Sequence, residues 1–93
     1  MKEERFLEIA RAVSDPTRFA ILSKIAQSRG DLACANLTGE MEITAATISH
    51  HIKELSAAGL IEARREGKFN FYRVHQDTWS EYLKELARRV PTA

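Results

Sequence analysis

A helical pattern opens on Thr44 and stops at Gly59, two strand-like runs follow it around Glu66-Gly67-Lys68, and a short helical stretch ends just before it. Together these predict a mainly α fold with a β-hairpin wing. Two helices joined by so short a link form a helix-turn-helix, and a hairpin directly behind the second helix makes it a winged one. The predicted order over residues 1–93 is α-α-α-α-β-β-α in a single domain. The helix-turn-helix is expected at about 32–58, the wing at about 60–75 and a last helix at about 77–90.

Local signals justify each element. Residues 3–13 carry Phe6, Ile9, Ala10 and Val13 on one helical face. Asp15 then caps a second helix, with Pro16 at its first position, where the missing N–H costs nothing. That helix is expected over about 16–28, with Leu22, Ile25 and Ala26 inward, Phe19 and Ile21 flanking, and Gly30 as the stop. The third is expected over about 32–40, with Leu37 and Met41 inward. Thr44 suits the N-cap of the fourth, because its hydroxyl can accept from a free N–H one turn on. Ile48, Ile52 and Leu55 make its inner stripe, and Gly59 can take the left-handed position past its end. Residues 60–65 and 69–74 read as strands, with Gly67 free to adopt positive φ at the turn. Asp77 or Thr78 is the expected cap of the last helix, and Pro91 ends it.

Composition bounds the function. Ninety-three residues with 44% hydrophobic and 29% charged side chains make one small folded domain. No apolar run reaches the roughly 18 residues of a membrane span, the N-terminus has no signal-peptide pattern, and a cytoplasmic location is expected. A single cysteine excludes an internal disulfide. Net charge is only +1, but residues 44–75 hold five Lys/Arg against three Asp/Glu, which puts the slight basic excess on the helix and wing. No glycine-rich phosphate loop is present, and Cys34 with His50, His51 and His75 forms no nucleophile–base pattern, so an enzyme is not expected. No cofactor is implied.

The outer face of the fourth helix decides the reading. Opposite the apolar stripe lie Ala46, His50, Lys53 and Ala57, flanked by Thr47, Ser49 and Glu54. A solvated helix face normally carries long Glu and Lys side chains. The first two outer turns here have none. Small residues let a helix approach the major-groove floor, hydroxyl and imidazole groups can bond base edges or phosphates, and alanine can touch a thymine methyl. His51 sits nearer the stripe and is expected to be partly buried and hydrogen-bonded. Arg64, Arg65, Lys68 and Arg73 gather at the hairpin. They suit a wing that meets phosphates or the minor groove, and equally a charged edge that blocks strand pairing. The last helix repeats Trp79, Tyr82, Leu83, Leu86 and Val90. That is more apolar surface than a terminal helix of a small domain easily buries. A homodimer seam shared with Phe6 and Ile9 of the first helix is expected.

These residues resemble the ArsR/SmtB family of bacterial transcriptional repressors. The likeness is carried by Ser14-Asp15-Pro16-Thr17-Arg18, by Thr47-Ile48-Ser49-His50-His51-Ile52 with Leu55, by Ala58-Gly59-Leu60-Ile61, and by Arg64-Arg65-Glu66-Gly67-Lys68 through Tyr72. It implies a homodimer that binds double-stranded DNA at an inverted-repeat operator and represses until an effector, here an unidentified small molecule, releases it. It puts the start of the recognition helix at Thr44, base or phosphate contacts on Ala45, Ala46, Thr47, Ser49 and His50, and wing contacts on Arg64, Arg65 and Lys68. Many relatives have glutamine and serine at positions 45 and 46 and arginine at 50, so readout here is expected to lean on methyl contacts and shape. The family's Cys-x-Cys metal positions correspond to Ala33 and Ala35, with Cys34 between them, and alanine offers no lone pair. A second family site uses Asp and His ligands on the last helix, where this chain has only His75 and Asp77 at its start. No metal site is therefore expected. The alternative is a winged helix used for protein contact without specific DNA binding, which the low net charge and the outer alanines favour.

Overall fold

The computed structural model describes residues 1–29 and 32–92, apart from the side chains of Cys34 and Ala35. The stop expected at Gly30 and the setting of the Cys34 thiol lie outside the described residues. The elements are α1 (Glu3–Val13), α2 (Pro16–Ser28), β1 (Leu32–Ala33), α3 (Cys34–Met41), α4 (Ala45–Ala57), β2 (Ile61–Glu66), β3 (Phe69–Val74) and α5 (Gln76–Arg89). The fold is the expected winged helix-turn-helix, with one correction to its order. Leu32 and Ala33 open no helix. They form a short strand antiparallel to β3, pairing Leu32 with Tyr72 and Ala33 with Phe71, so the wing is a three-stranded sheet in the order β1-β3-β2. Two residues carry no readable period, and their partner lies about forty positions away in the chain.

The caps explain why the helices start and stop where they do. Asp15 accepts the Arg18 N–H at 2.8 Å ahead of Pro16. Thr44 accepts the Thr47 N–H at 3.2 Å. At the other end of α4, Leu60 N–H bonds the Leu55 carbonyl and Gly59 N–H bonds the Ser56 carbonyl, a Schellman closure around Gly59 at φ +74°. The turn at Gly59 also meets Arg5. A Cβ there would run into the Arg5 guanidinium, which donates to the Ala58 carbonyl at 2.6 Å and ties α1 to the end of α4. The cap of α5 differs from expectation. His75, not Asp77 or Thr78, takes the role, its Nδ1 accepting the Thr78 N–H at 3.3 Å.

One core joins all the elements. Ile9, Ile21, Ile25, Leu37, Ile48 and Leu55 are fully buried in it where their helices turn inward, and Leu60 is buried in the link between α4 and β2. On α2 the inner face is rotated from the expected one: Ile21 is buried, while Phe19 and Ala26 are exposed. Helices α1 and α5 pack side by side, with the Phe6 and Tyr82 rings 5.4 Å apart and the Arg89 guanidinium 4.5 Å above Phe6. Glu85 anchors this pair of helices. It bonds Arg88 at 2.8 Å and Arg89 at 3.0 Å and lies 3.6 Å from the N-terminal ammonium. The Arg88 and Arg89 hydrogen bonds hold its carboxyl well below the usual glutamate range, at about 2. A depressed folded value makes the contribution present above an unfolded glutamate's pKa and lost as pH falls toward about 2. Wild-type protein is therefore expected to lose more stability than Glu85→Gln between pH 4.5 and about 2, read by thermal melts across that range.

Candidate nucleic-acid interface

Helix α4 presents the surface. Its inner side is Ile48, His51, Ile52 and Leu55, all buried. That arrangement turns Thr44, Ala45, Ala46, Thr47, Ser49, His50 and Lys53 outward, and every one of them is exposed. The Thr44 and Thr47 hydroxyls meet at 2.9 Å, which fixes the two first-turn hydroxyls relative to one another. The rest of the outer face has no side chain longer than an imidazole before Lys53. A groove floor could therefore come close to the helix backbone over its first two turns.

His51 is buried as expected, and it has a partner. Arg18 Nε donates to its Nδ1 at 3.4 Å, and Arg18 Nη1 donates to the Ala12 carbonyl at 3.4 Å. Arg18 thereby links α1, α2 and α4. Sequence reasoning missed this role for Arg18. The Asp-Pro-Thr-Arg run marked a helix start and part of the family likeness but not this contact, because the partner lies thirty-three residues on.

Most of the wing cations already touch neighbours on the sheet. Arg64 lies 3.1 Å from Glu66 and its guanidinium is 5.1 Å from the Phe71 ring centroid. Arg65 donates to the Gly67 carbonyl at 3.1 Å, Lys68 sits 5.8 Å over Phe69, and Arg73 lies 3.3 Å from Glu62. All four cations are exposed. Exposed pairs of this kind contribute about 0–1 kcal/mol, so phosphates can take the cations over at little cost. Gly67 at φ +61° shapes the tip. Phe69 beside it is half exposed, an apolar residue at the wing tip that its alternation in the strand did not reveal.

The residues expected at a dimer seam divide. Phe6, Ile9 and Tyr82 are buried within the chain's own core, and Trp79 packs against that core half-buried. Phe6 and Tyr82 meet in the α1–α5 contact inside one chain, with the Trp79 ring 5.8 Å from Tyr82. Leu83, Leu86 and Val90 remain 47%, 37% and 69% exposed, and Leu7 of α1, not singled out from the sequence, is 44% exposed. Among the described residues no group of three or more His, Cys, Asp or Glu is placed to hold a metal ion. No helix among them is long and apolar enough to cross a membrane.

An exposed, short-sided helix behind a helix-turn and ahead of a cationic hairpin defines a winged helix-turn-helix DNA-binding module. The comparisons agree. Residues 13–64 match the family described as Helix-turn-helix domain. An uncharacterized HTH-type transcriptional regulator of Methanocaldococcus jannaschii is 39% identical over 83 residues, covering 89% of this chain and 92% of that protein. The transcriptional repressor SdpR of Bacillus subtilis is 34% identical over 64 residues, 69% of each chain. Among solved structures, an ArsR-like transcriptional regulator from Rhodococcus superposes with a TM-score of 0.81 at 26% identity, over 91% of this chain and 78% of that one. A homodimeric winged helix-turn-helix DNA-binding domain from Mycobacterium bovis, a possible ArsR-family regulator, superposes with a TM-score of 0.74 at 25% identity, over 92% and 79%. The chain belongs to the ArsR/SmtB family of winged helix-turn-helix transcription regulators. That family and fold are those of DNA-binding regulators, not enzymes.

Proposed function

We propose that this chain is a cytoplasmic homodimeric repressor that places two α4 helices and two wings on an inverted-repeat operator, acting as a single domain over residues 1–93. The observation that carries this reading is the exposed face of α4, where Thr44, Ala45, Ala46, Thr47, Ser49, His50 and Lys53 stand clear of the core. Arg64, Arg65 and Lys68 of the wing supply phosphate contacts, and a two-fold pair of such units matches two half-sites about one helical turn apart. The homodimeric Mycobacterium bovis relative supports the pairing. Ala33 and Ala35 at the family's Cys-x-Cys positions make this a repressor without that thiolate site, answering to a small organic ligand or only to its own abundance.

The test is fluorescence anisotropy of the native upstream duplex against a scrambled one, at two salt concentrations, with and without zinc. Tight, sequence-selective, salt-dependent and zinc-indifferent binding is the expected result. Within the same assay His50→Ala should weaken selective binding by about 1–3 kcal/mol while leaving the fold intact by circular dichroism. The partnered wing cations and the net charge of +1 favour a second reading, a winged helix used for protein contact. It is chosen instead if the two duplexes bind alike at physiological salt and Arg64→Ala with Lys68→Ala leaves a partner interaction unchanged.

A further inference from the structure

The α2–α4 contact contains one titratable pair that DNA recognition by the outer face does not use. His51 is on the recognition helix, buried, and its Nδ1 accepts from Arg18 Nε. An imidazole can accept at Nδ1 only when that nitrogen carries no proton. Arg18 is always charged, and it is itself held to α1 through the Ala12 carbonyl. We infer that the Arg18–His51 contact positions the recognition helix against its scaffold only while His51 is neutral, so that Arg18 and His51 are positioning residues that make DNA binding weaken in acid. This rests on the DNA-binding reading above.

The surrounding charges give the contact two arrangements. Asp15, one turn before Arg18, caps α2 and accepts the Arg18 amide N–H at 2.8 Å. That amide, donating to the carboxylate, holds its carboxyl below the usual range. On protonation His51 loses the Arg18 bond and meets a like charge, while Asp15 attracts the imidazolium. His50 on the same helix lies ring to ring with His51 at 5.4 Å. The adjoining hollow lined by Arg18 also carries Glu8 and Arg11 of α1 and Glu54 of α4. A His51 drawn from Arg18 toward the start of α2 takes α4 with it, because the ring sits on the inner face of that helix.

The neighbouring His50 makes the sign decisive. A proton on exposed His50 would add a cation near phosphates and strengthen binding in acid, opposite to the effect of His51. The experiment therefore uses full-length protein in a His50→Gln background, with a duplex obtained by in vitro selection with the wild-type chain at about pH 8. Affinity is measured between about pH 5.5 and pH 8, where imidazoles change charge. Binding is expected to weaken by about fivefold or more toward acid. Adding His51→Asn, whose side-chain oxygen can stand where Nδ1 stood and cannot titrate, should flatten the profile. His51→Leu, which offers Arg18 no acceptor, should bind weakly at every pH. Circular dichroism confirms that each variant is folded at the pH used.

A flat profile in the His50→Gln background overturns the inference, as does an acid loss that persists in His51→Asn. A second arm needs no DNA. In the free protein the Arg18 Nε–H resonance should follow the titration of His51 by NMR, and a resonance indifferent to it also overturns the inference. Failure to select any duplex overturns the proposed function instead, and the NMR arm still decides the contact.

Discussion

Leu86→Asp is expected to convert the protein to a monomer and to abolish selective DNA binding at concentrations where the wild type is saturated. Leu86 is an exposed apolar residue at helical spacing with Leu83 and with Val90 at the end of α5, and Leu7 of α1 is exposed as well. If these residues form the seam, two-fold pairing brings them together from each chain, so one substitution places two carboxylates there. An unpaired buried charge costs about 3–5 kcal/mol, which is more than a hundredfold in dimer affinity for each copy. A monomer keeps one reading helix and one wing, and it loses the effective concentration that the second half-site supplies. Sedimentation velocity reads the first effect and anisotropy the second. A Leu86→Asp chain that remains a monodisperse dimer would move the seam to another face, and the half-exposed Phe19 on α2 would become the residue to substitute next.

Leu55→Ala should have the largest effect on stability, about 2–5 kcal/mol, because the side chain is fully buried and the cavity lies under the last turn of α4. Its carbonyl also receives the Leu60 N–H of the Schellman closure, so the backbone around it has little freedom to collapse inward. For a chain of this size each kcal/mol lowers Tm by about 4–8 °C, compared at fixed protein concentration because dimerisation contributes. At a temperature where the variant is folded, its preference for selected over scrambled duplex should match the wild type. His50→Ala should behave in the opposite way, with Tm near the wild type and selectivity reduced. A Leu55→Ala melt close to wild type would contradict the packing described for α4.

How far the sequence reached can be judged from particular residues. Thr44, Asp15, Gly59 and Gly67 were legible because capping and positive φ are settled within a few residues of chain. The outer face of α4 was legible for the same reason: once Ile48, Ile52 and Leu55 define the inner stripe, helical geometry sets the rest. The order of elements was read correctly except for β1. Nothing in Leu32-Ala33 distinguishes a strand from the first turn of a helix until Tyr72 and Phe71 arrive beside them. The cap of α5 was misread because histidine is an uncommon N-cap, and only the placement of its Nδ1 over the Thr78 N–H makes it one.

The seam divides along the same line. An apolar period says that Phe6, Ile9, Tyr82, Leu83, Leu86 and Val90 turn away from water, and it does not say into what. Tertiary packing decided that Phe6, Ile9 and Tyr82 close the chain's own core and that Leu7, Leu83, Leu86 and Val90 do not. The sequence by itself determined the helices, the caps at Asp15 and Thr44 and which side of α4 is exposed, because each depends on residues within a turn or two of one another. Only the tertiary structure decided the third strand, the Arg18–His51 contact and which apolar residues are left for a partner. Each of those depends on residues far apart in the chain being brought within a few ångströms, and no local period records that distance.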